Sequence, residues 1–270
     1  MPRLKIVTIN ILTDLSRWEQ RRMLLLEGLA AISPDLIALQ EVHLPQNPAR
    51  WLAEQLDYPH FVLSPKLGRS ESREALAIIT RLPLEDASVL DLGGQDRIAQ
   101  RVFVNLEEST LYLANCHLYW QPGESVARMR QAERLQNWLS GFPGDPPGIV
   151  CGDFNGTPET LAIQLMRQRF LSAYAALHGK EPDYTCPTPL PRSTWSVTRT
   201  FLGFFLLIRP QHIKLNWRGT LDYIFVDPRL QVIHSQVVLD QPSRENPRIY
   251  PSDHFGVYAE IEIPTNIPTE

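Results

Sequence analysis

Acids, imidazoles and carboxamides recur in this chain at the ends of apolar runs. Asn10 closes an N-terminal run, Glu41 stands in Leu-Gln-Glu-Val, and His117 in Asn-Cys-His-Leu. Asp153 and Asn155 belong to Cys-Gly-Asp-Phe-Asn, Asp222 to Leu-Asp-Tyr-Ile-Phe-Val, and Asp253-His254 to Pro-Ser-Asp-His-Phe. Carboxylates are hard oxygen ligands for Mg2+ or Mn2+, so Glu41 reads either as a metal ligand or as an exposed acid at a strand end. His254 follows an acid and precedes a strand, and imidazole exchanges protons near neutral pH. Asp222 reads as a turn residue or as a partner for such a histidine. Asp153 and Asn155 are two apart, and in an extended segment both side chains would point the same way. An acid and an amide could then meet one phosphate.

These residues need rigid elements to hold them, and the pattern supplies candidates. Lys5 to Ile11 is rich in β-branched residues and predicts a strand. Ser16 is an N-cap candidate for a helix to about Ile32, with Trp18, Met23, Leu26 and Leu29 apolar. Leu36 to Leu39 predicts a short buried strand with Glu41 just beyond it. Further strands are predicted over Ala75 to Thr80, Val102 to Leu106, Leu111 to Cys116, Gly148 to Cys151, Leu221 to Val226 and Gly256 to Ile263. Gly123 to Leu139 predicts a helix on which Arg128 and Gln131, three apart, share a face. The candidate residues thus follow strand ends, where loops held by a sheet carry function. The pattern by itself establishes only mixed α and β.

In this order the segments resemble the endonuclease/exonuclease/phosphatase superfamily of metal-dependent phosphoester hydrolases, from Ile6 to about Val257. The resemblance implies an α+β fold, a four-layer α/β/β/α sandwich of two packed mixed β-sheets flanked by helices, as a single catalytic domain over residues 1–270. It implies a Mg2+ or Mn2+ ion on Glu41 with Asn10 and Asp253 beside it. His254, oriented by Asp222, would take a proton from the attacking water. Asn155 would donate to a phosphate oxygen and Asp153 would orient the water or handle a proton. His117, supported by Glu74, would stabilise the phosphoryl group or protonate the leaving oxygen. A histidine at His117 resembles the deoxyribonuclease, sphingomyelinase and deadenylase-like branches, because apurinic-type endonucleases carry Tyr there. Neither the Trp-Cys-Asp-Arg signature of inositol-polyphosphate phosphatases nor the Asn-Gly-x-Arg loop of apurinic endonucleases is present.

Composition limits the substrate less than the motifs limit the reaction. A net charge of −4 argues weakly against a broad nucleic-acid-binding face. Three cysteines, an odd number, give no disulfide framework and fit a reducing compartment. With no h-region at the N-terminus, the expectation is a cytoplasmic protein. Trp195 to Trp217 contains Phe-Leu-Gly-Phe-Phe-Leu-Leu-Ile between basic flanks. It reads as a buried strand or hairpin, or as a peripheral membrane contact beside the site. The expected substrate is therefore a nucleic acid, a phospholipid or a small phosphodiester. Phosphomonoesters of lipids or inositols stand as the alternative, and a non-catalytic binding module of the same fold as a remote one.

Overall fold

The computed structural model describes residues 2–106, 109–142, 144–191 and 217–264. One six-stranded sheet has the order β11 (Gln231–Val238), β12 (Gly256–Glu262), β1 (Arg3–Asn10), β2 (Leu36–His43), β4 (Glu74–Thr80), β3 (His60–Pro65). The second has the order β5 (Leu84–Asp91), β6 (Ile98–Leu106), β7 (Ser109–His117), β8 (Gly148–Asp153), β10 (Asp222–Val226), β9 (Leu171–Ser172). Each sheet is mixed for the same reason. β1 and β2 are parallel and joined through helix α1 (Trp18–Ile32), as β7 and β8 are through α3 (Val126–Trp138). All other neighbouring pairs are antiparallel.

Alternation along the strands explains the four layers. Leu4, Ile6, Leu36, Ala38 and Ile78 of the first sheet meet Val102, Leu111, Leu113, Ile149, Cys151 and Ile224 of the second in one core between the sheets. The intervening residues face outward. Val7, Ile9, Ile37 and Leu39 pack on Leu25 and Leu29 of α1 and on Leu52 of α2 (Pro48–Leu56). Tyr112, Ala114, Val150 and Phe225 pack on Leu135 of α3 and on Ile163 and Met166 of α4 (Leu161–Arg169). Strands buried on both faces read as continuous apolar runs, which is why they were legible. Truncating one of these core side chains, as in Ile6→Ala, costs about 2–5 kcal/mol. A short helix, α5 (Ala173–His178), follows β9.

A polar bridge crosses the otherwise apolar space between the sheets. Gln40 Nε2 donates to Asn115 Oδ1 at 2.7 Å and to Thr8 Oγ1 at 3.0 Å. Asn115 Nδ2 in turn donates to the carbonyls of Leu39 and Ala77 at 3.0 and 3.1 Å. Gln40 and Asn115 are fully buried, one residue before Glu41 and two before His117.

Several predicted elements shift. α1 starts at Trp18 after Arg17 in a left-handed conformation with no side-chain cap, so Ser16 does not cap it. α3 starts at Val126, with Ser125 accepting from the Arg128 amide. Its buried face is Arg128, Gln131, Ala132 and Leu135, while Val126 at its start is exposed. β2 runs on to His43, so Glu41 lies within the strand. The apolar segment from Trp195 falls outside the described residues except for Trp217.

Candidate active site

Both sheets end in the same place. Asn10 ends β1, His117 ends β7 and Asp153 ends β8, while Glu74 starts β4 and Asp222 starts β10. His254 lies two residues before β12. The topology requires this clustering: parallel β1 and β2 end side by side, as do β7 and β8, and the antiparallel neighbours begin where those end. At Glu41 the β2–β4 ladder shifts register between Leu39 and Val42, and Glu41 takes φ 57°. A non-glycine residue with positive φ is strained, and here the bulge re-aims a carboxylate. Gly152 (φ 133°) precedes Asp153, and a Cβ there would lie 2.0 Å from the Cys116 carbonyl oxygen. Only glycine lets β8 approach β7 this closely and set Asp153 beside His117.

Asp153 is the centre. Its Oδ2 accepts from Asn10 Nδ2 at 3.0 Å and lies 3.5 Å from His117 Nε2 and 3.9 Å from His254 Nε2. Each imidazole is backed by a carboxylate on its other nitrogen. His254 Nδ1 is 2.9 Å from Asp222 Oδ2, and His117 Nδ1 is 3.5 Å from Glu74 Oε1. Each carboxylate has a further partner: Thr185 Oγ1 donates to Asp222 Oδ2 at 2.6 Å, and Lys66 Nζ forms a close ion pair with Glu74. Two imidazole–carboxylate systems thus converge on one oxygen.

The two systems differ in charge. Burial alone would lower the pKa of His254, but Asp222, Cys186 and Asp153 outweigh it and push the pKa well above the ordinary value. Burial likewise lowers that of His117, and there the cations Arg97 and Lys66 drive it further down. The surroundings thus favour the charged form of His254 and the neutral form of His117.

The oxygen-rich side lies around Glu41. Its Oε1 accepts from Asn10 Nδ2 at 3.1 Å and its Oε2 from the Thr13 amide at 3.0 Å. Donor atoms of Glu41, Glu74 and His117 lie within 4.8 Å of one another, as do those of Asp153, Asp222 and His254. Carboxylate-dominated sets suit a hard divalent cation. Asn10 bridges the two clusters, because its amide nitrogen serves both Glu41 and Asp153 while its oxygen accepts from the Leu12 amide. Asp253 belongs to neither cluster. It accepts from Ser252 Oγ at 3.5 Å, and its charge acts on the buried Arg21.

Asn155 lies beyond β8 with φ 50°, so strand alternation does not align it with Asp153. Its amide N–H donates to Asp153 Oδ1 at 2.9 Å, and its side chain donates to the Leu118 carbonyl at 3.1 Å. Arg128 and Gln131 hold the loop after His117: Arg128 donates to the carbonyls of Tyr119, Gln121 and Gly123, and Gln131 accepts from the Tyr119 amide. Four supporting residues escaped sequence reasoning. Thr185 and Arg21 are hydrogen-bonding anchors. Arg21 donates to the Ile11, Leu12, Asp14 and Pro251 carbonyls, tying the loop after Asn10 to the segment before His254. Lys66 and Arg97 are buried cations beside His117. No local pattern marks either of them.

Residues 7–254 match the Endonuclease/Exonuclease/phosphatase family. The chain belongs to this family. It is 27% identical to Nocturnin of Drosophila melanogaster over 286 residues, covering 91% of the chain and 42% of that protein. It is 28% identical to 2',5'-phosphodiesterase 12 of Bos taurus over 194 residues, covering 63% of the chain and 30% of that protein. The chain thus spans less than half the length of these relatives. The fold is shared with D. rerio TDP2 complexed with single strand DNA product, with TM-score 0.75, 18% identity, and coverage of 97% of this chain and all of that one. Family membership agrees with the two mixed sheets and flanking helices described above.

Proposed function

We propose that the chain is a divalent-metal-dependent phosphodiesterase that hydrolyses nucleic-acid-type phosphodiesters by direct attack of water. The observation that carries this reading is the convergence of two carboxylate-backed imidazoles on Asp153 Oδ2. Glu41 would hold the ion, with Glu74 and His117 in reach and Asn10 keeping Glu41 and Asp153 together. A Mg2+ or Mn2+ ion held there would supply charge stabilisation at the phosphoryl oxygens and would offset the acidic surroundings that raise the His254 pKa.

The protein's own residues divide the remaining work. His254, held by Asp222 and Thr185, takes a proton from the attacking water when neutral. His117, and the Asn155 carboxamide through the N–H not used on the Leu118 carbonyl, would donate to the phosphoryl group, where preorganised donors contribute most in the transition state. None of the steps needs a cysteine nucleophile: Cys116 and Cys151 are buried in strands, and burial raises both thiol pKa values. The nucleic-acid preference is supported by the names of the relative and of the DNA-bound neighbour. Trp120 (43% exposed) and Trp217 (44%) also favour it, since they lie close in sequence to His117 and Asp222 and bases stack on exposed rings.

The test is a panel of plasmid DNA, RNA, 2',5'- and 3',5'-linked dinucleotides and sphingomyelin-type lipid with Mg2+ or Mn2+. Hydrolysis of the nucleotide substrates is expected, with loss on chelation and recovery on metal return. Absence of activity on every phosphodiester, or activity indifferent to chelation, would sink the proposal.

A further inference from the structure

Lys66 is 3% exposed, and a buried ammonium persists only against a partner. That partner is Glu74 Oε1, the atom that also faces His117 Nδ1 at 3.5 Å. The chain path sets this pairing. The β3–β4 ladder closes with Pro65 opposite Ala75, and the Lys66 amide then donates to the Glu74 carbonyl at 2.9 Å. Lys66 and Glu74 are thus cross-strand neighbours whose side chains share a face. One oxygen meets two groups, and unequally. Lys66 Nζ is in direct contact with it, whereas His117 Nδ1 is closed to solvent and has no hydrogen-bond partner.

A neutral imidazole carries a single N–H, on Nδ1 or on Nε2. The neutral ring is favoured here: burial lowers the His117 pKa most, Arg97 and Lys66 lower it further, and Asp153 and Glu41 oppose them. The ring lies between two carboxylates at the same separation, 3.5 Å from Glu74 Oε1 and 3.5 Å from Asp153 Oδ2. Distance therefore does not choose the nitrogen, but charge does. A proton on Nδ1 would point at an oxygen already in contact with an ammonium, and like charges repel most at close range. On the other side, Asp153 Oδ2 accepts from the neutral Asn10 amide, and the His254 imidazole stands farther off at 3.9 Å.

We propose that Lys66 is a positioning residue for His117: by engaging Glu74 Oε1 it leaves the single ring proton on Nε2, aimed at Asp153 and the phosphoryl group. The inference rests on the phosphodiesterase reading and deepens it, because it says why His117 can act as a donor. Without Lys66, Glu74 would draw the proton to Nδ1, and His117 would present a lone pair where the reaction needs an N–H.

The first test is independent of turnover. Long-range 1H–15N spectra of the full chain with 15N-labelled histidine and Mg2+, at neutral pH, separate protonated from bare ring nitrogens. The His117 ring is the one missing from His117→Gln. In wild type it should carry its proton on Nε2, in Lys66→Met on Nδ1, and in Lys66→Arg on Nε2 again. Lys66→Gln keeps a hydrogen-bond donor without the charge; it should shift the ring as Lys66→Met does, and serves if that variant does not fold. A wild-type ring protonated on Nδ1 or on both nitrogens, or a ring that the loss of charge leaves unchanged, overturns the proposal. The second test is kinetic, on a dinucleotide. Lys66→Met should lower kcat about ten- to hundredfold with KM little changed, as for one lost charge-assisted hydrogen bond, and Lys66→Arg should restore it. In a His117→Gln background the same substitution should change nothing. An equal fold loss in both backgrounds makes Lys66 merely structural and overturns the proposal. If no diester is hydrolysed by any form, the phosphodiesterase reading fails on its own, and the spectra still decide where the proton sits.

Discussion

Thr185→Val isolates how much of the His254 system depends on its outermost member. Thr185 is fully buried, and its hydroxyl does three things at once. It donates to Asp222 Oδ2 at 2.6 Å and accepts from the amides of Leu221 at 3.0 Å and Asp222 at 3.3 Å. Valine keeps the shape and removes all three. Loss of a hydrogen bond to a charged group costs about 1.5–3 kcal/mol, and an amide left without an acceptor about 1–3 kcal/mol. With partial relaxation the stability loss should be about 2–4 kcal/mol, a fall in Tm of roughly 4–16 °C. The first of these contributions bears on catalysis, because Asp222 must stay fixed as His254 becomes an imidazolium. If it is felt in full in the transition state, kcat falls about 10- to 150-fold with KM little changed. Steady-state kinetics on a dinucleotide with Mn2+, beside thermal melts, measure both. Thr185→Ser retains the hydroxyl and should recover kcat while remaining slightly less stable. A valine variant that turns over at the wild-type rate, or a serine variant as slow as the valine one, refutes the argument that Thr185 acts through Asp222.

Other substitutions test the remaining parts of the site. His254→Ala should lose several orders of magnitude in kcat and keep its far-UV circular dichroism; near wild-type turnover would remove His254 from the chemistry. Arg21→Met should lower stability by about 3–5 kcal/mol, the cost of breaking a buried charged network, and denaturant melts read this directly. The three cysteines should resist a thiol reagent in the native protein and react together on unfolding, since all are buried with raised thiol pKa values. Rapid native labelling of Cys116 or Cys151 would contradict the packing described between and behind the sheets.

Most of the central strands were legible because they are buried on both faces, and the residues at their ends were legible through type and order. What escaped did so for identifiable reasons. β5 carries Glu85, Asp86 and Asp91 on an exposed sheet edge, so its apolar signal is diluted. β3 is largely half-buried and β11 mixes exposed, half-buried and buried positions, so neither carries a continuous apolar run. Glu41 was expected past a strand that in fact bulges around it, and Asn155 was expected on a strand that ends two residues earlier. Thr185 is 37 residues from the Asp222 it serves, a pairing that no local pattern encodes. Lysine and arginine read as surface residues by default, which hid Lys66, Arg97 and Arg21.

The amide bridge of Gln40 and Asn115 has a consequence for how such a molecule can change over generations. Two greasy sheets resting on each other could settle in several alignments of nearly equal quality, and each would pull Glu41 and Asp153 apart by a different amount. A pair of interlocked carboxamides penalises every alignment but one, because a slipped sheet leaves buried amides with nothing to bind. The aliphatic residues around the bridge are thereby freed to drift in identity, provided their volume is kept. Sequence divergence should then accumulate in the oily layer and stop at the bolt.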